Sequence, residues 1–373
     1  MTGNRSSVDV AIVGLGAMGA LSAWQLAARG AKVIGFDRYR PGHDRGSSHG
    51  ETRIFRTAYF EGSDYVPLLQ RAHVLWRQLE KESGADLLTL TGGLAIGHPD
   101  GELVSGVLAS ARQNDLPHRQ LDASEMGRSY PQHRLGADEI AVLENGAGFL
   151  RPERAVAAAA ARAEALGATL MADTEVRAVD APGGGVVIET SRGSFAAERA
   201  LVAAGAWTSK LLPQLALPLK VERQVMGWLL VTEPARFAPQ SFPVFIRETR
   251  GGFRYGFPTV DGRSIKLGVH HEGHETDPDS IDRQIHDADL EPIRDFAQDS
   301  LRGVTHEVVD ARVCMYTNAP DERFIVARDA SLPGVTVLSA CSGHGFKFAS
   351  VMGELMAGSL LDDRAVPAIV RSA

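Results

Sequence analysis

The segment from Val8 to Asp37 constrains this chain more than any other. Val8-Asp9-Val10-Ala11-Ile12-Val13 is an apolar, β-branched run ending at glycine, the pattern of a buried strand. Gly14-Leu15-Gly16-Ala17-Met18-Gly19 follows at once, and apolar residues through Ala23, Trp24, Leu26 and Ala27 predict a helix that stops at Gly30. Lys32-Val33-Ile34-Gly35-Phe36 predicts a second strand, with Asp37 at its end. In such a unit Gly14 permits the tight turn, Gly16 lets the backbone approach a pyrophosphate, and Gly19 lets helix and strand pack closely. The helix N-terminus offers free N–H groups and a positive dipole to phosphates. Asp37, 18 residues beyond Gly19, stands where a carboxylate accepts hydrogen bonds from a ribose. The unit predicts a dinucleotide site; the bland alternative is a glycine-rich turn that binds nothing. It does not choose between NAD and FAD.

Several classes are disfavoured. A formal net charge of −7 with no basic block argues against nucleic acid. No run approaches the roughly 20 apolar residues of a membrane helix, since the stretch from Ala155 to Ala172 is broken by Arg162 and Glu164. The first residues are polar and lead straight into a strand, so the expectation is no leader peptide and a cytoplasmic location. Cys314 and Cys341 are the only cysteines, too few for a disulfide framework. Only six of the 39 basic residues are lysines, so a lysine inside an apolar strand or a glycine-rich turn carries extra information.

Along the chain, Gly46 to Arg56 is irregular and dense in hydrogen-bond donors. Residues 63 to 83 predict a helix with an apolar stripe of Leu68, Ala72, Leu75 and Leu79, best explained as core packing. A strand pair about Gly92-Gly93 comes next, then helical and loop material to about residue 140. A helix over Pro152 to Leu166 and short strands at 168–180 and 186–190 follow. Apolar strands ending at glycine-rich turns recur at Arg199-Ala200-Leu201-Val202 and at Val335-Thr336-Val337-Leu338, and a last helix runs from about Phe348 to Leu361. Residues 218 to 320 predict antiparallel strands and turns. These signals give an α/β chain, α+β overall. A Rossmann-type nucleotide domain is assembled from separated segments, and a mostly antiparallel β substrate domain is inserted between them.

Three places could carry chemistry. Ser264-Ile265-Lys266-Leu267-Gly268-Val269-His270 alternates, placing Lys266, Gly268 and His270 on one face. Pairing symmetric about Asp261 and Gly262 puts Tyr255 and Phe257 on that face too; the bland alternative is a half-exposed sheet with Lys266 in water, and a one-residue slip would break the group. Cys314, by itself, is explained as a small buried hydrophobe. Gly343-His344-Gly345-Phe346-Lys347 opens a helix and could hold an anion or an electron-rich ring edge, or be an ordinary turn.

Six segments in this order resemble the monomeric sarcosine oxidase and N-methyltryptophan oxidase family: Gly14-Leu15-Gly16-Ala17-Met18-Gly19, His49-Gly50-Glu51-Thr52-Arg53, Tyr255-Gly256-Phe257-Pro258, Lys266-Leu267-Gly268, Cys314-Met315-Tyr316-Thr317 and Ser342-Gly343-His344-Gly345-Phe346-Lys347-Phe348. The resemblance runs nearly end to end. It implies FAD rather than NAD, with a thioether from Cys314 to the flavin, against the bland explanation of that cysteine. It implies that Arg53 and Lys347 bind the substrate carboxylate, a task suited to two cations. Lys266 would activate O2 by stabilising developing negative charge, and Tyr255 and His270 would line the substrate space. Gly14, Gly16, Gly19, Asp37, His49, Thr52, Arg56, Cys314, Gly343, Gly345 and Lys347 would hold or support the cofactor. The implied FAD-binding domain spans 1–88, 149–217 and 321–373, and the substrate domain 89–148 and 218–320. The implied reaction moves a hydride equivalent from the amine's α C–H bond to the flavin; the imine hydrolyses, and O2 becomes hydrogen peroxide. The expected partners are a small amine and O2, with the chain a monomer. Ser48, Phe60, Arg254 and Cys341 depart from the family pattern and leave the substrate side chain open. A flavin dehydrogenase using a carrier, an NAD-dependent dehydrogenase and a non-catalytic flavoprotein are the alternatives.

Overall fold

The computed structural model describes residues 8–368 and 370–372. The polar residues 1–7, on which the expectation of no leader rests, lie outside the described residues. Val8–Val13 and Val33–Phe36 run parallel, with Val10 opposite Val33 and Val13 opposite Phe36. On its other side Val8–Val13 pairs in parallel with Gly193–Val202, which pairs in turn with Val335–Ser339. Strands from the start, middle and end of the chain therefore lie side by side in one sheet. Val10, Ala11 and Ile12 are fully buried, as a parallel strand covered on both faces requires. The helix Ala17–Ala28 covers one face and packs against the helices Pro152–Ala165 and Ala349–Leu361. Small residues along these helices permit the close crossings.

The second large sheet runs His274–Glu275, Lys220–Val231, Ser264–Val269, Gly252–Gly256, Val244–Thr249, Gly93–Gly97, Ile140–Glu144, Arg119–Leu121, with the long strand Val304–Asn318 also on Lys220–Val231. Every pairing in it is antiparallel except Val244–Thr249 with Gly93–Gly97. The register expected from the Asp261-Gly262 turn is the one formed: Tyr255 lies opposite Gly268 and Arg254 opposite Val269. Phe257 and Lys266 continue it, with the Phe257 N–H bonded to the Lys266 carbonyl at 3.0 Å.

Two sequence expectations need correction. The strands flanking Gly92-Gly93 do not pair with each other: Leu88–Leu90 joins Gly148–Leu150, whereas Gly93–Gly97 enters the second sheet. The segment 218–320 also contains a helix, Asp287–Ser300. Its buried Leu290, Ile293, Phe296 and Ala297 have helical spacing, but Pro292 inside it, normally a helix breaker, hides the pattern. Among the described residues, no helix is long and apolar enough to cross a membrane.

Candidate active site

A cavity of about 540 Å³ lies between the two sheets, lined by residues of the Val8–Asp37 unit and by Tyr255, His270, Cys314 and Lys347. Its nucleotide end is built by the glycines. Gly14 has φ +91°, and a Cβ there would stand 2.5 Å from the Ala203 carbonyl oxygen, just past the end of the neighbouring strand. Gly19 packs directly on the Gly14 carbonyl, while Gly16 meets nothing nearer than Ser48 Oγ at 3.8 Å, leaving its backbone approachable. Asp37 accepts the Leu15 N–H at 2.7 Å and the Tyr39 N–H at 2.8 Å, so its carboxylate is fixed at the mouth of the turn. Beyond it, Asp279 accepts from Trp207 Nε1 at 2.7 Å and Arg38 Nη1 at 3.1 Å, and meets Lys210 Nζ at 2.6 Å. Arg283 donates to the Arg45 carbonyl at 2.7 Å. The segment after His274–Glu275 thus ties the second sheet to the nucleotide unit.

The other end gathers nearly all of the remaining sequence candidates. Cys314 is 2% exposed, with Sγ 3.5 Å from Arg53 Nη2 and 3.8 Å from the Ser47 carbonyl oxygen. Burial pushes the thiol up, and the Arg53 charge works against that. Arg53 begins the strand Arg53–Phe55 and is held by the Thr52 and Ser47 carbonyls at 2.9 and 3.0 Å. Lys266 is 1% exposed, which rules out the half-solvated alternative. Its Nζ donates to the Gly50 and Thr52 carbonyls at 2.7 and 2.5 Å and lies 4.0 Å from the centre of the Phe257 ring. Burial first, then Arg53, holds Lys266 well below the usual lysine range.

Lys347, in the 3₁₀ turn Gly345–Phe348 that opens the last helix, donates to the His344 carbonyl at 2.7 Å. Burial, then Arg56, lowers it to about 7, with Glu61 pulling the other way. Arg56 pairs with Glu61 and lies 4.2 Å over the Tyr59 ring and 4.7 Å over Phe60. His344 bridges the Tyr59 hydroxyl and the Glu322 carbonyl and is lowered to about 4, chiefly by burial. His270 Nδ1 is 3.2 Å from the Tyr316 hydroxyl, and burial, then His271, holds it well below its usual range. Tyr255 is pushed up to about 12 by burial. At neutral pH both rings are therefore uncharged. Arg56 and Lys347 face Glu61, and Arg53 feels Glu153 from behind the lining, so three cations against two carboxylates leave this end suited to an anion.

The donor set fits a dinucleotide with a polar ring system. Thr52 Oγ1, Arg56 Nε and Thr317 Oγ1 line the cavity, buried and without a partner in the protein. Both nitrogens of His49, 1% exposed and lowered to about 3 by burial and Arg53, are also unpartnered, but His49 stands behind the lining and not in it. Unpaired buried polar atoms are rare and call for a partner. FAD, with phosphates, hydroxyls and ring heteroatoms, could supply such partners. Sequence reasoning missed Gln224, Met226, Ile246 and Phe253 in the lining. Their only signal is strand alternation, which does not say which face meets a cavity.

The family described as FAD dependent oxidoreductase matches residues 9–359. Monomeric sarcosine oxidase of Streptomyces avermitilis is 40% identical over 354 residues, covering 94% of this chain and 92% of that protein. N-methyl-L-tryptophan oxidase of Salmonella enteritidis PT4 is 34% identical over 365 residues, covering 94% of this chain and 93% of that one. Among solved structures, NikD, an unusual amino acid oxidase essential for nikkomycin biosynthesis, superposes with a TM-score of 0.85 at 24% identity, covering 96% of this chain and 95% of NikD. That likeness speaks for the fold.

Proposed function

The chain belongs to the FAD dependent oxidoreductase family, in the group of monomeric sarcosine oxidase and N-methyl-L-tryptophan oxidase, and from that premise we propose that it oxidises N-methyl amino acids with O2 as acceptor. The observation that carries the reading is the meeting of Cys314, Arg53 and Lys347 at one end of a cavity whose other end is the glycine turn, with Lys266 buried behind that lining on the Gly50 and Thr52 carbonyls. In this proposal 1–88, 149–217 and 321–373 form the FAD-binding domain, and 89–148 and 218–320 the substrate domain.

Gly14, Gly16, Gly19 and Asp37 would hold the nucleotide end, and His49, Thr52, Arg56, Gly343 and Gly345 would support the ring end. Cys314 would form a thioether to the flavin, favoured by the Arg53 guanidinium, which stabilises a thiolate. Bound FAD supplies the redox chemistry, taking a hydride equivalent from the C–H bond beside nitrogen and passing two electrons to O2 to give peroxide. Arg53 and Lys347 would clamp the substrate carboxylate. Tyr255 and His270, both neutral, would border the amine without repelling or protonating it. Lys266 would place positive charge where O2 gains electrons. The relatives' name supports a monomer, and a chain with only two cysteines, one of them committed to the flavin, suits a reducing cytoplasm.

The test is acid precipitation of the purified yellow protein, followed by a peroxide assay with sarcosine and N-methyl-L-tryptophan. Flavin in the pellet, released to the supernatant in Cys314→Ala, supports the thioether, and peroxide supports the oxidase. Oxidation of the amine in air without peroxide would make the chain a dehydrogenase that uses a carrier. Protein that purifies without flavin and takes none up would overturn the reading.

A further inference from the structure

Met226 lies on the same strand face as Lys266. In the pairing of Lys220–Val231 with Ser264–Val269, Trp228 stands opposite Lys266 and Met226 opposite Gly268, and residues two apart share a face. The Met226 side chain packs on Gly50, where a Cβ would be 2.6 Å from Met226 Cε and 3.1 Å from Sδ. The carbonyl of that same Gly50 holds the Lys266 ammonium at 2.7 Å. Met226 Sδ also lies 3.7 Å from Arg53 Nη1. The thioether is only 2% exposed, so bulk solvent hardly reaches it, yet it lines the cavity. Met18, elsewhere in the same lining, and Met171, outside it, are by contrast partly exposed.

We propose that Met226 is a self-modification site, the residue that the enzyme's own hydrogen peroxide oxidises first. The inference rests on the oxidase reading, which supplies the peroxide and puts its formation beside Lys266. A sulfur lone pair attacks one peroxide oxygen and an S–O bond forms as the O–O bond breaks. The leaving oxygen departs as water with both protons; sulfur is oxidised by two electrons and peroxide is reduced by two. The product is polar, with an oxygen that accepts hydrogen bonds far better than a thioether. That oxygen would sit beside Arg53 Nη1 and draw it away from the substrate carboxylate. Turnover would thus raise KM several-fold with less effect on kcat.

The experiment uses the holoenzyme, with peptide mapping of all eight methionines by mass spectrometry. One arm turns over sarcosine or N-methyl-L-tryptophan with catalase in the buffer to remove escaped peroxide. The other adds hydrogen peroxide to resting enzyme without substrate. The expected result is sulfoxide at Met226 growing with turnover number in the first arm, and at Met18 and Met171 ahead of Met226 in the second. Peroxide production with Met226 unmodified overturns this proposal and leaves the oxidase reading standing. So does modification of Met18 and Met171 at the same pace as Met226 in the first arm. No peroxide from either amine overturns both.

Discussion

Raising the pH from about 6 to about 9 should weaken carboxylate binding roughly a hundredfold, through Lys347 alone. Its Nζ is buried, makes one hydrogen bond, to the His344 carbonyl, and faces Arg56, so the ammonium is depressed to about 7. Only the protonated form attracts a carboxylate. Because the depressed value belongs to the free site, full binding is present below about pH 7 and is lost tenfold per unit above it. At about pH 9 some 1% of sites keep the charge, a loss near 2.7 kcal/mol. An ordinary lysine would hold its charge to about pH 10. The ligand should be a carboxylate without an amine, such as propionate, so that its own charge is constant. Its Kd can be read from the shift it causes in the flavin absorption band. The curve for Lys347→Met should be weak and flat. A wild-type Kd that is also flat from about pH 6 to 9 would refute the assignment of the charge to Lys347.

Lys266→Met should slow reoxidation by O2 far more than anaerobic reduction by substrate in stopped flow. A protonated Lys266 about 4 Å from the developing anion would be worth about 4 kcal/mol at an effective dielectric of 20, about a thousandfold in rate, an upper bound because burial and Arg53 disfavour that protonated form; equal losses in both half-reactions would remove Lys266 from that role. His133→Phe tests the core of the second sheet, where the ring stacks 5.0 Å from Phe242 with both nitrogens unpartnered. Burial, then Arg247, lowers His133 to about 3, so the native state stays neutral while the unfolded chain titrates near 6.5. Stability therefore falls as pH drops below about 6.5, by about 2 kcal/mol at pH 5, or some 2–3 °C for a chain this long. Calorimetry should show the Phe variant losing less between pH 7 and 5, and parallel profiles would sink the idea.

How much of this was legible in the sequence depended on how local each signal was. The Val8–Asp37 unit reports itself through contiguous residues, and the sheet it predicts is the one formed. The Tyr255–Lys266 face was legible because a short turn fixes register, so the pairing of Tyr255 with Gly268 follows from counting. The Asp287–Ser300 helix was not, because Pro292 masks a period that tertiary burial of Leu290 and Ile293 sustains. Gly92-Gly93 misled for a related reason. A turn signal says that the chain bends and not that the strands beside it pair. Met226 beside Arg53, 173 positions apart, lies outside anything periodicity can reveal.

The central sheet sets Val8–Val13 beside Gly193–Val202, and that strand beside Val335–Ser339. On the ribosome, where the chain emerges N-terminus first, this order has a plain consequence. The glycine turn is made early, but the strand leading to Lys347 follows long after it, so a chain that has emerged only as far as Val202 holds just part of the pocket. Cofactor capture would wait for Val335–Ser339 and Lys347, and cutting before them would leave a half-roofed cleft instead of a smaller working enzyme.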